Sequence, residues 1–280
     1  MNKPASPRKP ERDIDRIHAE NRLREAGYLM SGHHCHPYFE LFYVERGACR
    51  FLVEDTMYDL HDGDFLLIPP QVLHYTRYLF GSCRRSAVFF RRRDVGGETE
   101  ALLPRADAFF SKARIFQAPD AYRGQIADLL KRMVTEIRVD DERSPLMLFL
   151  LLQELLLLCA RVCHFLQETP ADIHTTDRSV VRAARYVSEH YAQPIRTADV
   201  AAAAGLSQNY LTRKFREAAG IGVREYLVFT RLRHAALELV STADSITDIA
   251  LRCGFSDSNY FKDVFKKRYG VTPRAYRKAR

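Results

Sequence analysis

His34, His36 and Glu40 are separated by even intervals, so a single β-strand would carry all three on one face together with Tyr38. His74 follows a Pro69-Pro70 pair further along the chain. Imidazole and carboxylate groups gathered in this way suit a divalent ion such as Zn, Mn, Fe or Ni. The same groups are good hydrogen-bond partners for the hydroxyls of a small polar ligand, and they also occur as satisfied groups in an ordinary interior. Three readings therefore stand. One is a metal centre at His34, His36, Glu40 and His74. Another is a polar effector pocket at His34, His36, Tyr38, Glu40 and His74, and the third is interior packing.

The elements around these residues read as strands. Between residues 28 and about 95, short apolar or aromatic runs such as Phe39–Val44 and Phe65–Ile68 are bounded by Gly47, Asp62-Gly63 and Pro69-Pro70. Closely spaced strands of this kind predict a small barrel or jelly roll. The spacing His34-x-His36-x-x-x-Glu40 followed by Gly47 resembles the first cupin motif, and Gly63, Pro69 and His74 resemble the second. Gln71 stands where that family usually has glycine, and Tyr78 where it often has asparagine.

A second constellation lies in the last third of the chain, where one pattern occurs twice. Ala198-Asp199-Val200-Ala201, Gly205-Leu206-Ser207, Tyr210-Leu211, Phe215 and Gly220-Ile221 are followed by Thr247-Asp248-Ile249-Ala250, Gly254-Phe255-Ser256, Tyr260-Phe261, Phe265 and Gly270-Val271. The second copy has one extra residue after its serine. Each copy has the grammar of a helix-turn-helix. A short helix capped by Thr197, or by a Ser245/Asp248 capping box, ends at a glycine turn, and Ser207 or Ser256 caps the next helix. Leu211 and Phe215, like Phe261 and Phe265, then point inward. Gln208, Asn209, Thr212 and Arg213 face outward in the first copy, as do Asp257, Ser258, Asn259 and Lys262 in the second. Short donors and acceptors with a reaching Arg or Lys are what base edges in a major groove require. Further along, Lys214, Arg216, Lys266, Lys267 and Arg268 stand where phosphates would be met, and Ser207 at the start of the helix completes the expected DNA-binding set.

Residues 178–278 resemble the DNA-binding domain of the AraC/XylS transcriptional regulators. The residues that carry the likeness are Ile249-Ala250, Gly254-Phe255-Ser256-Asp257, Tyr260-Phe261, Phe265-Lys266, Gly270-Val271-Thr272-Pro273 and Tyr276-Arg277, together with Pro194-Ile195, Tyr226, Arg231-Leu232 and Leu239. The resemblance implies two helix-turn-helix units joined by a rigid helix that read successive faces of one site, and a last short helix opened by Thr272-Pro273. It also implies a cupin-like sensing domain that binds a small effector, with carbohydrate the family's common theme.

The charge distribution agrees with a nucleic-acid partner. Residues 175–280 hold 19 Lys+Arg against 10 Asp+Glu, while residues 1–174 hold 24 against 25, so the whole excess of +8 sits in the repeated region. Six cysteines show no CxxC pairing, and no export signal is legible at the N-terminus, so reduced thiols and a cytoplasmic location at the nucleoid are expected. Cys159 and Cys163, one helical turn apart beside His164, read as packing rather than a metal pair. The apolar stretch Met147–Ala160 reads as too short and too broken to span a bilayer, so no membrane partner is expected.

The expected fold is a two-domain chain, a cupin-like β-barrel or jelly roll with helices after it, then an all-α double helix-turn-helix domain. The expected boundaries are a flexible arm at 1–20, a sensing barrel at 21–118, a helical dimerisation segment at 119–168, a linker at 169–177 and the DNA-binding domain at 178–280. The two helix-turn-helix units fall at about 197–219 and 245–269. In the helical segment, Ser144 is expected to cap a helix running to about Glu168 whose apolar excess covers the barrel or forms a homodimer seam. The function expected is a non-enzymatic regulator that binds double-stranded DNA in response to a small effector, with RNA polymerase as a partner if it activates. The alternatives are a metal-dependent cupin enzyme fused to a DNA-binding domain, and a regulator whose barrel is only a dimerisation scaffold.

Overall fold

The computed structural model describes residues 16–28, 35–78, 81–103, 106–165 and 178–278. The N-terminal half is built on β1 (His18–Arg24), β2 (Phe39–Arg46), β3 (Cys49–Val53), β4 (Thr56–Leu60), β5 (Asp64–Ile68), β6 (His74–Arg77) and β7 (Cys83–Phe90). Two short helices, α1 (Gly97–Leu102) and α2 (Ala106–Ser111), lead to β8 (Arg114–Gln117). Then come α3 (Asp120–Val139), α4 (Ser144–Val162) and a two-residue strand, β9 (His164–Phe165). The strands form an antiparallel six-stranded sheet in the order β1-β7-β2-β5-β8-β9 and a three-stranded sheet in the order β4-β3-β6.

The two sheets face each other across a core of Phe42, Val44, Phe51, Leu60, Leu66 and Ile68. The opposite face of the large sheet, with Leu41, Tyr43, Phe65 and Leu67, packs on α3 and α4. β2 is therefore buried on both sides, which is why Leu41–Val44 reads as a continuous apolar run instead of alternating. The expected jelly roll is present, with three adjustments. β1 begins inside the stretch expected to be a loose arm. The segment expected to end the barrel contains α1 and α2. The second long helix stops at Val162 and not near Glu168, because Cys163–Phe165 leaves it to pair with β8. The linker expected at 169–177 lies outside the described residues.

Helix α4 has Arg143 at its N-cap, with Ser144 as its first residue and Pro145 in the first turn. The Ser144 hydroxyl bonds back to the turn, accepting from Asp141 N at 3.0 Å and donating to Glu136 Oε1 at 2.6 Å, so it clamps the α3–α4 connection. At 19 residues and mean hydropathy 1.9, α4 is long and apolar enough to cross a bilayer, contrary to the reading of 147–160 as too short. Its burial gives the apolar surface another partner. Leu148, Leu151, Leu152, Leu155, Leu156 and Cys159 all lie in the core against the large sheet. Cys159 and Cys163 belong to the same core, and all six cysteines are free thiols.

The C-terminal half is helical: α5 (Arg178–His190), α6 (Thr197–Ala204), α7 (Gln208–Ala219), α8 (Val223–Ser241), α9 (Ile246–Arg252), α10 (Ser258–Tyr269) and α11 (Pro273–Lys278). One cluster unites α5, α6, α7 and the start of α8 around Val187, Leu211, Phe215 and Tyr226. Another unites the rest of α8 with α9 and α10 around Leu232, Leu239, Ile249, Phe261 and Phe265. Helix α8 thus contributes its first turns to one unit and its last turns to the other, a continuous strut of about 28 Å between them.

The halves touch through the outer face of the small sheet. Leu52 and Met57 are buried within the cluster of the first helical unit. Tyr75 packs so closely over Gly220 that a Cβ there would lie 2.6 Å from its ring. An ion pair joins Glu54 of the β3–β4 turn to Arg233 of α8.

Candidate nucleic-acid interface and effector site

In the first helix-turn-helix unit, α6 is capped not by Thr197 but by Arg196, whose N–H donates to Asp199 Oδ2 at 2.7 Å. Gly205 then turns the chain with φ of 69°. Ser207 caps α7 as expected, accepting from Tyr210 N at 3.4 Å. In the second unit Ser245 caps α9, accepting from Asp248 N at 3.1 Å. The cap of α10 is Asp257, whose Oδ1 accepts from Asn259 N at 2.8 Å, and not Ser256. This accounts for the extra residue in the second copy: the turn is one residue longer, and the cap moves from serine to the aspartate after it.

The second helix of each unit, α7 and α10, presents polar residues to solvent. Gln208, Asn209, Thr212 and Arg213 are exposed on α7, and Asn259, Lys262, Lys266 and Lys267 on α10, while Ser258 is half-buried. Several of these groups are already engaged. Thr212 Oγ1 donates to the Gln208 carbonyl at 2.8 Å, and Lys262 Nζ donates to Asn259 Oδ1 at 3.5 Å. Asp257 uses a carboxylate oxygen as a cap. Lys214 is half-buried and donates to Ser179 Oγ on α5 at 3.3 Å, so it faces the domain interior more than an outer phosphate. Two residues outside the expected set share the exposed face. Tyr210 and Tyr260 occupy equivalent positions in the two copies and are 42% and 50% exposed. An aromatic ring repeated at a solvent-facing helix position was the available signal. Each can offer a hydroxyl and an apolar edge to a groove.

In the barrel, Glu40 points inward from β2, while His36 lies just before the Pro37-Tyr38 bend that leads into the strand and His74 opens β6. The expectation of one strand carrying His36 and Glu40 on one face is therefore incorrect in its route, since the strand begins at Phe39. The groups still converge. Glu40 Oε2 lies 3.1 Å from His36 Nε2 and 3.2 Å from His74 Nε2. Tyr38 stacks on His36 with ring centres 4.3 Å apart. All four side chains are buried. His34 lies outside the described residues.

The other nitrogens of both rings face backbone carbonyls: His36 Nδ1 is 2.8 Å from Tyr38 O, and His74 Nδ1 is 3.0 Å from Val72 O. A carbonyl only accepts, so both Nδ1 atoms carry hydrogen. Burial opposes charge on Glu40, yet hydrogen bonds from His36 and His74 outweigh it and hold the carboxyl well below its usual range. The Glu40 carboxylate oxygen can serve both Nε2 atoms as a hydrogen-bond acceptor or share a cation with them. The three candidate ligand atoms lie within 4.8 Å of one another, and Nδ1–H donation to a carbonyl is the usual second shell of a metal-bound histidine. The residues fit a divalent ion as well as they fit a proton-bridged cluster.

Gln71, at the position where cupins usually have glycine, adopts φ of 62°. This is the left-handed region that glycine favours. The conformation is held by Gln71 N donating to His36 O at 2.8 Å and by Cys35 Sγ donating to Gln71 Oε1 at 3.2 Å. The turn that carries His74 is tied in this way to the bend that carries His36.

Two family models match this chain: an AraC-like ligand-binding domain over residues 20–156 and a helix-turn-helix domain over residues 200–279. The chain belongs to the AraC family of transcriptional regulators. It is a DNA-binding regulator with a ligand-binding domain. The HTH-type transcriptional regulator YisR of Bacillus subtilis is 24% identical over 254 residues, which are 86% of this chain and 85% of YisR. The C-terminal domain of AraT, a response regulator from Geobacillus stearothermophilus, is 36% identical over 37% of this chain and 86% of its own, with a TM-score of 0.36. ToxT from Vibrio cholerae is 13% identical, with 94% of this chain and 98% of that chain covered and a TM-score of 0.37. The ligand-binding match includes Glu40 and His74 but ends inside α4. The helix-turn-helix match spans α7 and α10.

Proposed function

We infer that this AraC-family regulator binds one asymmetric DNA site through α7 and α10 and that a small polar effector in the barrel controls this binding. The observation that supports it best is the pair of capped reading helices with exposed polar faces, fixed at one separation by α8. A strut of about 28 Å is near the length of one turn of B-DNA, so the two helices suit successive major-groove faces. The outward residues differ between the copies, Gln208, Asn209, Thr212 and Arg213 against Asn259 and Lys262, so each helix reads a different sequence and the site has one orientation.

Arg213→Ala and Lys262→Ala should each weaken binding to a selected site by about 1–3 kcal/mol and relax preference at one or two base positions. Selection of DNA from a random duplex library, followed by affinity measurement, checks this. A loss that is equal on every duplex makes them phosphate contacts instead.

For the effector, the buried polar set Tyr38, Glu40, His36 and His74 supports a hydroxylated ligand, carbohydrates included. A thermal-shift panel of sugars and organic acids tests it, and a panel without response removes the ligand-controlled reading. A divalent ion is the second reading, favoured by the convergence of two Nε2 atoms and one carboxylate oxygen. Such an ion would be held by His36, Glu40 and His74 and would fix the barrel mouth or polarise a bound hydroxyl. Metal content of the purified protein decides it, and turnover by the metal-loaded barrel would favour a cupin enzyme joined to a DNA-binding domain.

Leu146, Met147 and Leu150 at the outer start of α4 remain exposed, which supports a homodimer seam on the helical segment. Leu150→Asp should convert a dimer to a monomer by light scattering, and an unchanged mass removes this face from the seam. The regulator acts in the cytoplasm at the nucleoid, and RNA polymerase joins the partners if it activates.

A further inference from the structure

Two thiols meet at the end of the barrel where the chain passes from the large sheet to the small one. β2 ends at Arg46, opposite Arg84 of β7. Gly47 then turns the chain with φ of 98°, and its N–H donates to Asp62 Oδ1 at 2.6 Å. This turn lies so close on the start of β7 that a Cβ at Gly47 would run into Ser82 O and sit 3.0 Å from Cys83 Cα. Cys49 opens β3 two residues later and so comes to face Cys83, which opens β7. The Cys49 S–H donates to the Cys83 sulfur. Both side chains are fully buried in the core between the sheets. The two thiols differ in character. The bond from Cys49, helped by the Arg85 charge, holds the Cys83 thiol below its usual range, although burial and Asp62 oppose this. Burial pushes the Cys49 thiol up, and so does the proton it lends to Cys83. A thiolate-prone cysteine beside a protonated one is the arrangement of a reactive thiol and its resolving partner.

We propose that Cys83 and Cys49 form a peroxide-sensitive dithiol that closes to a disulfide between the two sheets of the barrel. The Cys83 thiolate attacks one oxygen of a hydroperoxide. An S–O bond forms, the O–O bond breaks, and the leaving alkoxide or hydroxide takes up the proton that Cys83 gave up. The Cys49 sulfur then attacks the sulfur of the Cys83 sulfenic acid. The S–S bond forms, the S–O bond breaks, and hydroxide leaves with the Cys49 proton as water. The two cysteines lose two electrons and the peroxide gains them. A thiol reductant reverses the change by exchange. The oxidant must be small. Cys83 directly follows the exposed Gly81-Ser82, yet its thiol is closed off in the resting fold. Local opening at this strand end admits a molecule the size of a peroxide before it admits a bulky disulfide. The other thiol contact, Cys159 with Cys163, is not equivalent. It lies between α4 and its C-cap in the core under the large sheet, and its bond to Cys163 and its burial push the Cys159 thiol well up. The dithiol site depends on neither DNA binding nor effector binding.

The test treats the full-length protein with hydrogen peroxide, alkylates it without reduction and maps its peptides by mass. The wild type should lose the mass of two hydrogens and yield one cross-linked pair of peptides, carrying Cys49 and Cys83. Dithiothreitol should restore both the mass and the separate peptides. Cys49→Ala should stop at a sulfenic acid that dimedone labels at Cys83, and Cys83→Ala should give neither product. Cys35 is the internal control, because it is half-buried while Cys83 is closed off. Oxidation of Cys83 ahead of Cys35 supports the pair. Oxidation of Cys35 first makes exposure the governing factor and overturns the proposal. A cross-link between any other two cysteines overturns it, as does a wild-type chain that keeps both thiols while Cys35 is oxidised. The wild-type map uses no substitution, so it decides the site even where an alanine variant fails to fold.

Discussion

Replacing Glu40 by glutamine is expected to lower folding stability by about 3–5 kcal/mol at neutral pH, read as a lower urea midpoint with an unchanged slope. The carboxylate is buried and serves two imidazole rings through one oxygen, at 3.1 and 3.2 Å. Both rings have their other nitrogen committed to a carbonyl, so neither can turn to find a new partner without breaking a second bond. The amide keeps the shape but removes the charge and leaves the two buried rings a poorer hydrogen-bond partner. Glu40 is held well below its unfolded value, so its contribution is whole above about pH 4.3 and is lost as the pH falls further. The gap between wild type and variant should therefore close in acid. A chelator tests whether a cation is shared by the three groups. If a cation sits among the three groups, chelation lowers the wild-type midpoint and leaves Glu40→Gln where it was. If protons bridge them, chelation moves neither. A loss below about 1 kcal/mol would mean that the cluster is solvated and carries no tension.

The same cluster shows what the sequence could and could not disclose. The residue types and the pairing of His36, Glu40 and His74 were legible, because the two motifs fix loop lengths that return His74 to the same end of the barrel. The route was not. Even spacing suits a strand, but the Pro37-Tyr38 bend brings His36 back over Glu40 before β2 starts. The helix-turn-helix units were legible nearly to the residue, because their signals are local: a cap, a left-handed glycine, two apolar residues one turn apart. Where the reading slipped, at Thr197, Ser144 and Ser256, two neighbouring polar residues could each serve as cap, and the choice depended on where the next carboxylate or amide fell.

Packing between the halves was invisible from the sequence. Arg50-Phe51-Leu52-Val53 is a run buried on both faces, so nothing in it says that Phe51 and Val53 face the barrel core while Leu52 meets a helix of another unit. β1, β8 and β9 were missed for a related reason. Each is short or edge-placed and carries mixed polarity, and each exists because a neighbour strand needs a partner.

Gly254→Ala should damage the second helix-turn-helix far more than Gly270→Ala, although both glycines are left-handed, with φ of 86° and 74°. Both alanines carry the backbone cost of that region, about 1–2 kcal/mol. Only at Gly254 does the added methyl meet fixed atoms. It would lie 2.7 Å from Tyr191 O and 2.9 Å from Ala192 O and Arg231 Nε, whereas Gly270 has nothing within 4 Å. The two carbonyls cannot easily retreat. Arg231 Nε donates to Tyr191 O at 2.7 Å and its Nη2 to Gln193 O at 2.7 Å, pinning the segment after α5 to α8. Overpacking adds about 1–3 kcal/mol, so Gly254→Ala should lose about 2–5 kcal/mol and Gly270→Ala about 1–2. The structure can relieve the clash only by moving the α9–α10 turn, which swings α10 against α8 and shifts the exposed Asn259 and Lys262, the residues proposed to meet DNA. DNA affinity should therefore fall steeply for Gly254→Ala and little for Gly270→Ala, by thermal unfolding and anisotropy on the same preparations. Adding Arg231→Ala should not rescue Gly254→Ala, because two of the three close neighbours are main-chain oxygens. Equal losses at the two glycines, or rescue by Arg231→Ala, would show that the turn is free to adjust and that α10 is not held by it.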